Sequence, residues 1–348
     1  MSLEQSTYKL SDLAPLSALE LDPHVLISEA LKPVAEELNT LNDAIKSLTG
    51  AQTSTAKDVV NHVFAAGGKR IRPALFFFSA RLAGYTGHHL INMAAVCEFV
   101  HSASLLHDDV IDNSSLRRNK PTSNSIWGDE ASVLTGDLIY ARASEMMAAT
   151  GSLEIVSIFA RAIRLMSEGE LLQLEHLYNP AMTEEAYFEI LENKTAALLA
   201  AACRAPAVLA QRQVIDCNAL ESFGRSLGYA FQLLDDALDY SGSPEVFGKR
   251  TLSDLPEGKV TLPVMLLRTQ ATPEEWTKIE KIIRKIEISP RDMGIVQTLV
   301  EHYDTAGQTL ERAASYTNSA LAALEIFPPS PERKDLERLA NRLLMRVQ

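Results

Sequence analysis

The sequence predicts an all-α protein of ten or more helices. Three observations carry that expectation. Apolar residues recur every three or four positions in stretch after stretch. Alanine and leucine are abundant while aromatics make up 6% of the chain, a balance that favours helix. No stretch alternates apolar and polar residues with the period of two that a half-buried strand needs. A helical solenoid would share these features, but no fixed repeat period runs through the chain. The 348 residues read as one domain, 1–348, with 1–20 as a loosely ordered N-terminal segment, because no composition shift or low-complexity linker divides them.

Residues 25–48 place Val25, Leu26, Ala30, Leu31, Val34, Leu38, Leu41 and Ile45 at helical spacing. Gly67-Gly68-Lys69-Arg70-Ile71-Arg72-Pro73 is a glycine-hinged loop that opens a helix, and Ala74 to Leu82 is its buried continuation. Phe76, Phe77 and Phe78 are strand-like by propensity but sit in that helical context. Residues 90–111 are apolar nearly all round, as a central buried helix would be. Helical patterns then cover 130–149, 153–178, 184–202, 218–240, 260–270 and 274–286, with one or two helices in 291–325 and a last one over 331–346. Breakers separate them at Gly84, Pro121, Gly151, Asn179-Pro180, Ser241 to Gly258 and Pro328-Pro329.

Charge and cysteine usage narrow the function classes. The chain has 33 Lys+Arg against 45 Asp+Glu, a net charge of −12, which argues against a nucleic-acid partner. An anionic ligand would need clustered Lys/Arg or bound cations. Cys97, Cys203 and Cys217 lie far apart without metal spacing and read as buried thiols in a reducing compartment. The N-terminus lacks the basic start and apolar run of a secretory signal. The stretches Ala74 to Leu82 and Met93 to Leu106 are too short, or too interrupted by Arg81, Glu98 and His101, to span a bilayer. The expectation is a cytoplasmic protein with no transmembrane segment, for which a peripheral membrane contact stays compatible.

Two acidic boxes carry the chemistry. Asp108-Asp109-Val110-Ile111-Asp112 and Asp235-Asp236-Ala237-Leu238-Asp239 both read D-D-x-x-D, and each closes a strongly apolar helix. On a helix, Asp108 and Asp112 share a face that Asp109 flanks, and Asp235, Asp239 and Asp236 repeat the arrangement. Like charges at the C-terminal end of a helix oppose both one another and the helix dipole. Hard divalent cations bound through carboxylate oxygens offset this, and Mg²⁺ prefers one or two carboxylates plus substrate phosphates. One such box is an ordinary solvated helix end; two in one chain look like handles for a Mg²⁺–diphosphate complex. Basic residues stand where the anion needs them: Lys69 and Arg72 beside the glycine hinge, Arg117-Arg118 just beyond the first box, then Lys194-Thr195, Lys249 and Lys259.

The set GGKRIRP, LLHDDVIDNSSLRR, GELLQL, KTAALLAAAC, FQLLDDALDY and GKRTLSDLPEGKVTLP resembles the trans-polyprenyl diphosphate synthases, in that family's order, over about Gly67 to Pro263. The resemblance implies an isoprenoid-synthase-type helical bundle around a deep central cavity, as a homodimer. It implies an enzyme that elongates an allylic diphosphate, such as farnesyl diphosphate, with isopentenyl diphosphate, using three Mg²⁺ ions. Carried over by position, Asp108, Asp109, Asp112, Asp235 and Asp236 would hold the Mg²⁺ ions, with Asp239 completing the second box. Lys69, Arg72, His101 and Arg118 would bind isopentenyl diphosphate. Arg117, Lys194, Lys249 and Lys259 would contact the allylic diphosphate, and Thr195 and Gln232 would line the reacting centre. The chain departs from the family at Asn119 and Leu252, where glycine is common.

Product length is partly legible on the same basis. The tail must grow along the helix that leads into the first box, where Ala103 and Ser104 are small. In the family, bulky aromatics there stop growth early, so a long-chain product is expected. Phe159 is the candidate floor, with Ile155, Ile163 or Met166 nearby, and octaprenyl diphosphate for quinone side chains is the expected product. The alternatives are a shorter-chain geranylgeranyl or farnesyl diphosphate synthase, a terpene cyclase, a non-catalytic partner subunit and a structural helical scaffold. Lys69 and Arg72 argue against a cyclase, two intact boxes against a partner subunit, and six charged motifs against a scaffold.

Overall fold

The computed structural model describes residues 23–65, 69–117, 120–241 and 252–344, and these are helical almost throughout. The helices are α1 (Pro23–Leu31), α2 (Ala35–Leu48), α3 (Ser54–Ala65), α4 (Ile71–Ala83), α5 (Leu90–Ile111), α6 (Ser123–Trp127), α7 (Asp129–Ala148) and α8 (Leu153–Glu175). They continue as α9 (Glu184–Leu191), α10 (Ala197–Leu209), α11 (Val214–Ser241), α12 (Leu262–Gln270), α13 (Pro273–Ile283), α14 (Pro290–His302), α15 (Thr305–Ala323) and α16 (Pro331–Leu344). The only strands among the described residues form an antiparallel two-residue ladder, β1 (Leu116–Arg117) with β2 (Lys120–Pro121), just beyond the first acidic box. The expected loose segment 1–20, the glycine pair Gly67-Gly68, Arg118, Asn119 and Lys249 lie outside the described residues.

Several boundaries differ from the pattern-based expectation, for identifiable reasons. The stretch 25–48 is broken by a 3₁₀ turn over Lys32–Val34, because Pro33 brings no N–H to the ladder. Helix α3, which periodicity left unassigned, buries Ala56, Val59, Val60 and Phe64. The stretch 184–202 is three pieces: α9, a π-turn over Glu192–Ala196, and α10, which continues through Pro206 to Leu209. The stretch 291–325 is two helices, parted at Asp304, which takes a left-handed φ of 49°. Phe76, Phe77 and Phe78 are helical and buried. Burying a phenylalanine contributes about 1.5–3 kcal/mol, against a few tenths lost to weak helix propensity, so packing decides.

Helix α5 runs through the middle, packed on α7, α4 and α2. By length and composition it could cross a membrane, yet Met93 to Val100, Ala103 and Leu106 are buried within the bundle, which explains its all-round apolar character. Helix α10 packs on α4, α8 and α11, and α11 packs on α15. The larger apolar cluster joins α1–α5, α7, α8, α10 and the first half of α11. A smaller one joins α9, the end of α11, residues 252–267, α13 and α14. The acidic boxes lie at the C-terminal ends of α5 and α11.

Candidate active site

The two boxes do different things with their carboxylates. At the end of α5, Asp109 is 5% exposed and accepts from Arg117 Nε at 2.8 Å, which ties the β-ladder to the helix end. Asn124 Nδ2 donates to the Asp109 carbonyl at 3.2 Å and strengthens that tie. Asp108 is half-buried; burial and then the nearby Glu170 push its carboxyl up to about 6, against the pull of Lys194 and Arg117. Asp112 caps the helix and is exposed.

In the second box, Asp236 is 3% exposed and held on both oxygens: Tyr187 Oη donates at 2.5 Å and Gln232 Nε2 at 2.9 Å. Burial pushes its carboxyl up to about 6 even so, and Asp235 and Asp239 add to the rise. Asp239 anchors the following loop: its carboxylate accepts from Ser253 N at 2.9 Å, Ser253 Oγ at 2.8 Å and Asp254 N at 3.1 Å. Its carbonyl accepts from Leu252 N at 2.7 Å. Leu252 is held there at φ 59°, in the left-handed region, so the family's preference for glycine in this stretch has a backbone reason.

Lys194 and Thr195 sit on the π-turn, a wide turn of the kind that often marks functional sites. Two glycines let neighbouring helices approach it, and a third, Gly224, lets α11 approach α10 just beyond it. A Cβ on Gly169 of α8 would lie 2.7 Å from Asn193 Cβ and 3.0 Å from Lys194 N. A Cβ on Gly228 of α11 would lie 2.5 Å from Ala196 Cα, and one on Gly224 would lie 2.5 Å from the Leu199 carbonyl. Lys194 Nζ reaches Glu170 at 2.5 Å and donates to Gln173 Oε1 at 3.0 Å, both on α8. Thr195 Oγ1 donates to Gln232 Oε1 at 3.1 Å.

Gln173, Tyr187, Lys194, Gln232, Asp254 and Lys259 line a common cavity of about 170 Å³. Burial draws the Lys259 ammonium down, but Glu257, Asp254 and Asp112 outweigh it and leave it raised. Burial and the fields of Asp236 and Asp239 raise the Asp254 carboxyl well above its ordinary value. Arg72, in the first turn of α4, lies near enough to α5 to act on Cys97, one turn before His101. Lys69, Arg72 and His101 are each half-buried. The intervening Arg70 is structural: it forms a buried ion pair with Glu98, and its Nε donates to Asn42 Oδ1 at 3.0 Å. Tyr187 lies in none of the motifs, while Glu170 and Gln173 fall in GELLQL and Asp254 in the stretch SDLPEGK without having been assigned a role there.

Ala103 and Phe159 belong to one buried apolar cluster, but neither lines the cavity.

The donor set fits hard divalent cations. Among the described residues no three His, Cys, Asp or Glu side chains are arranged to hold a metal alone. Burial first, and neighbouring carboxylates second, push Asp108 and Asp236 up to about 6, and bound cations would favour their charged forms. Such a half-formed site suits Mg²⁺, whose remaining ligands would be water and diphosphate oxygens.

Comparison with known proteins gives a consistent picture. A sequence model described as polyprenyl synthetase matches residues 53–301. The octaprenyl diphosphate synthase of Escherichia coli K12 is 37% identical over 310 residues, covering 88% of this chain and 95% of that protein. The fold superimposes on a polyprenyl synthase from Caulobacter crescentus CB15 complexed with calcium and isoprenyl diphosphate, with a TM-score of 0.86 at 40% identity over 91% of this chain and 97% of that one. A decaprenyl diphosphate synthase from Rhodobacter capsulatus gives a TM-score of 0.88 at 36% identity over 92% and 99%.

Proposed function

Because the chain belongs to the polyprenyl synthetase family and is a prenyltransferase, we propose that it extends an allylic diphosphate with isopentenyl diphosphate in successive 1′–4 additions. The primer is farnesyl diphosphate and the product a long-chain polyprenyl diphosphate, octaprenyl, for quinone side chains. The observation that carries this reading is the cavity itself, where Lys194, Lys259, Thr195 and Gln232 converge beside Asp236 of the second box, with Lys194 near enough to act on Asp108 and Asp112 near enough to act on Lys259. The octaprenyl and decaprenyl relatives support a long chain, as do the small Ala103 and Ser104.

The residues divide the work. Asp108, Asp112 and Asp235 would hold Mg²⁺, while Arg117, Tyr187 with Gln232, and Ser253 with Asp254 orient Asp109, Asp236 and Asp239. When bound with the diphosphate, Mg²⁺ would supply Lewis-acid neutralisation of the leaving group. Lys194 and Lys259 add fixed positive charge where the allylic C–O bond breaks and its electron pair leaves on diphosphate. Thr195 and Gln232 face the delocalised allylic cation. Lys69, Arg72 and His101 hold isopentenyl diphosphate, whose double bond supplies the electron pair for the new C–C bond. The adduct loses a proton to the departed diphosphate, which restores an allylic diphosphate one unit longer. Exposed Leu134 on α7 and Leu153, Leu171 and Leu174 on α8 support a second copy of the chain packing there.

The test is a product assay with Mg²⁺, farnesyl diphosphate and excess isopentenyl diphosphate, with the dephosphorylated products weighed by mass spectrometry. A ladder ending near eight isoprene units supports the reading. A stop at three or four units keeps the enzyme class and removes the long-chain assignment. Diphosphate release without isopentenyl diphosphate would point to a cyclase instead.

A further inference from the structure

Tyr187 lies on α9, two turns before Lys194, and is 3% exposed. Its hydroxyl donates to Asp236 Oδ2 at 2.5 Å, and Gln232 Nε2 donates to Asp236 Oδ1 at 2.9 Å. The Gln232 amide is thereby oriented: its NH₂ faces the carboxylate, so its carbonyl faces the other way. There it accepts the Thr195 hydroxyl at 3.1 Å. A threonine has one hydroxyl proton, and here it is committed to Gln232, so Thr195 Oγ1 can offer only lone pairs to the cavity. A flipped Gln232 would set its carbonyl against the carboxylate and turn the Thr195 proton outward. The anchor of the chain is rigid. The Tyr187 ring meets Phe188 edge-on at 5.3 Å, Phe188 meets Tyr229 and Tyr316 at 5.9 Å each, and those two stack at 4.8 Å.

We propose that Tyr187 is a positioning residue whose hydroxyl fixes the Asp236 carboxylate and, through Gln232, turns the negative end of the Thr195 dipole toward the allylic cation. This inference rests on the reading that the chain ionises an allylic diphosphate. The Tyr187 hydroxyl is committed to Asp236, so it acts by setting a sign. A neutral ligand of the same shape is indifferent to that sign, whereas a cationic one is not.

The test compares two unreactive allylic analogues by calorimetry in the presence of Mg²⁺. One is a neutral-tailed thiolodiphosphate; the other carries an ammonium where the cation forms. Tyr187→Phe keeps the ring and removes the hydroxyl. The expected result is about a tenfold loss of affinity for the ammonium analogue, about 1.4 kcal/mol. Affinity for the thiolodiphosphate stays within twofold. In steady-state assays kcat falls, while KM for both substrates stays within threefold. Equal losses for both analogues would mean a merely structural role and overturn the proposal, as would no loss for either. Should Tyr187→Phe fail to fold, Gln232→Leu cuts the same relay from its other side and must show the same selective loss. Elongation by the wild-type protein is scored separately. An inactive wild type removes the functional reading, whereas an active one with equal analogue losses removes only the relay.

Discussion

Gly228→Ala should separate activity from stability in this enzyme. The substitution adds one methyl group to α11 where it faces the π-turn. The added Cβ would lie 2.5 Å from Ala196 Cα, 2.8 Å from Ala196 Cβ and 3.2 Å from Ala196 N. The obstructing atoms are mostly backbone and cannot swing aside, so opening the closest contact to an ordinary 3.4 Å displaces the turn by about 0.9 Å. Overpacking of this kind costs about 1–3 kcal/mol, while alanine in place of glycine returns up to about 1 kcal/mol of helix propensity. The net destabilisation is then between about zero and about 3 kcal/mol, within the roughly 5–15 kcal/mol that a folded domain has. Thr195 and Lys194 precede Ala196 directly and move with it. A misplacement of about 1 Å at a reacting centre costs on the order of a hundredfold in rate. The expected outcome is a folded protein with kcat for diphosphate release down about a hundredfold. Gly294→Ala on α14 is the control: its Cβ meets nothing within 4 Å, so it should stabilise by a few tenths to about 1 kcal/mol and leave kcat unchanged. Urea unfolding and steady-state assays on both variants decide the matter. Wild-type kcat in Gly228→Ala, or a loss no larger than its unfolded fraction, would refute the argument.

Other expectations follow from the same geometry. Phe159→Ala should lengthen the longest product detected by mass spectrometry at a stability cost of about 3–5 kcal/mol; an unchanged product distribution means that Phe159 is not the floor. Asp108 and Asp236 sit at about 6 in the folded chain against an ordinary 3.8, so the folded state binds more protons than the unfolded one. Metal-free stability should therefore fall as pH rises from about 4 through 6, and added Mg²⁺ should raise the melting temperature at pH 7.5 but not at pH 4. An equal Mg²⁺ effect at both pH values would contradict this. Arg70→Met leaves the Glu98 carboxylate buried without its partner and should cost about 3–5 kcal/mol, which Glu98→Leu in the same chain largely restores. Arg72→Met should raise KM for isopentenyl diphosphate, and an unchanged KM would remove Arg72 from that site.

What the sequence disclosed and what it hid divide along a physical line. Helix α5 was legible because its apolar residues and its Asp108 cluster are local facts, true of any helix with that composition. The division of labour among the six aspartates was not. Asp109, Asp236 and Asp239 look alike in a D-D-x-x-D box, and only Arg117, Tyr187 and Ser253, brought in from other elements, give each a separate job. The π-turn was hidden for the same reason: nothing in Glu192–Ala196 favours a wide turn over an α-helix, and its shape depends on helices that approach from outside. A trace of it was nevertheless in the sequence. Gly224, Gly228, Gln232 and Asp236 recur every four residues along α11, so they share one face. The first two let α10 and the π-turn come within contact distance of that face. The next two continue the stripe into the cavity and grip what the close approach delivers there, Thr195 on one side and Tyr187 on the other. The glycines and the polar pair are therefore parts of one device, because Gln232 can reach Thr195 only when the backbones at Ala196 and Gly228 are allowed to meet.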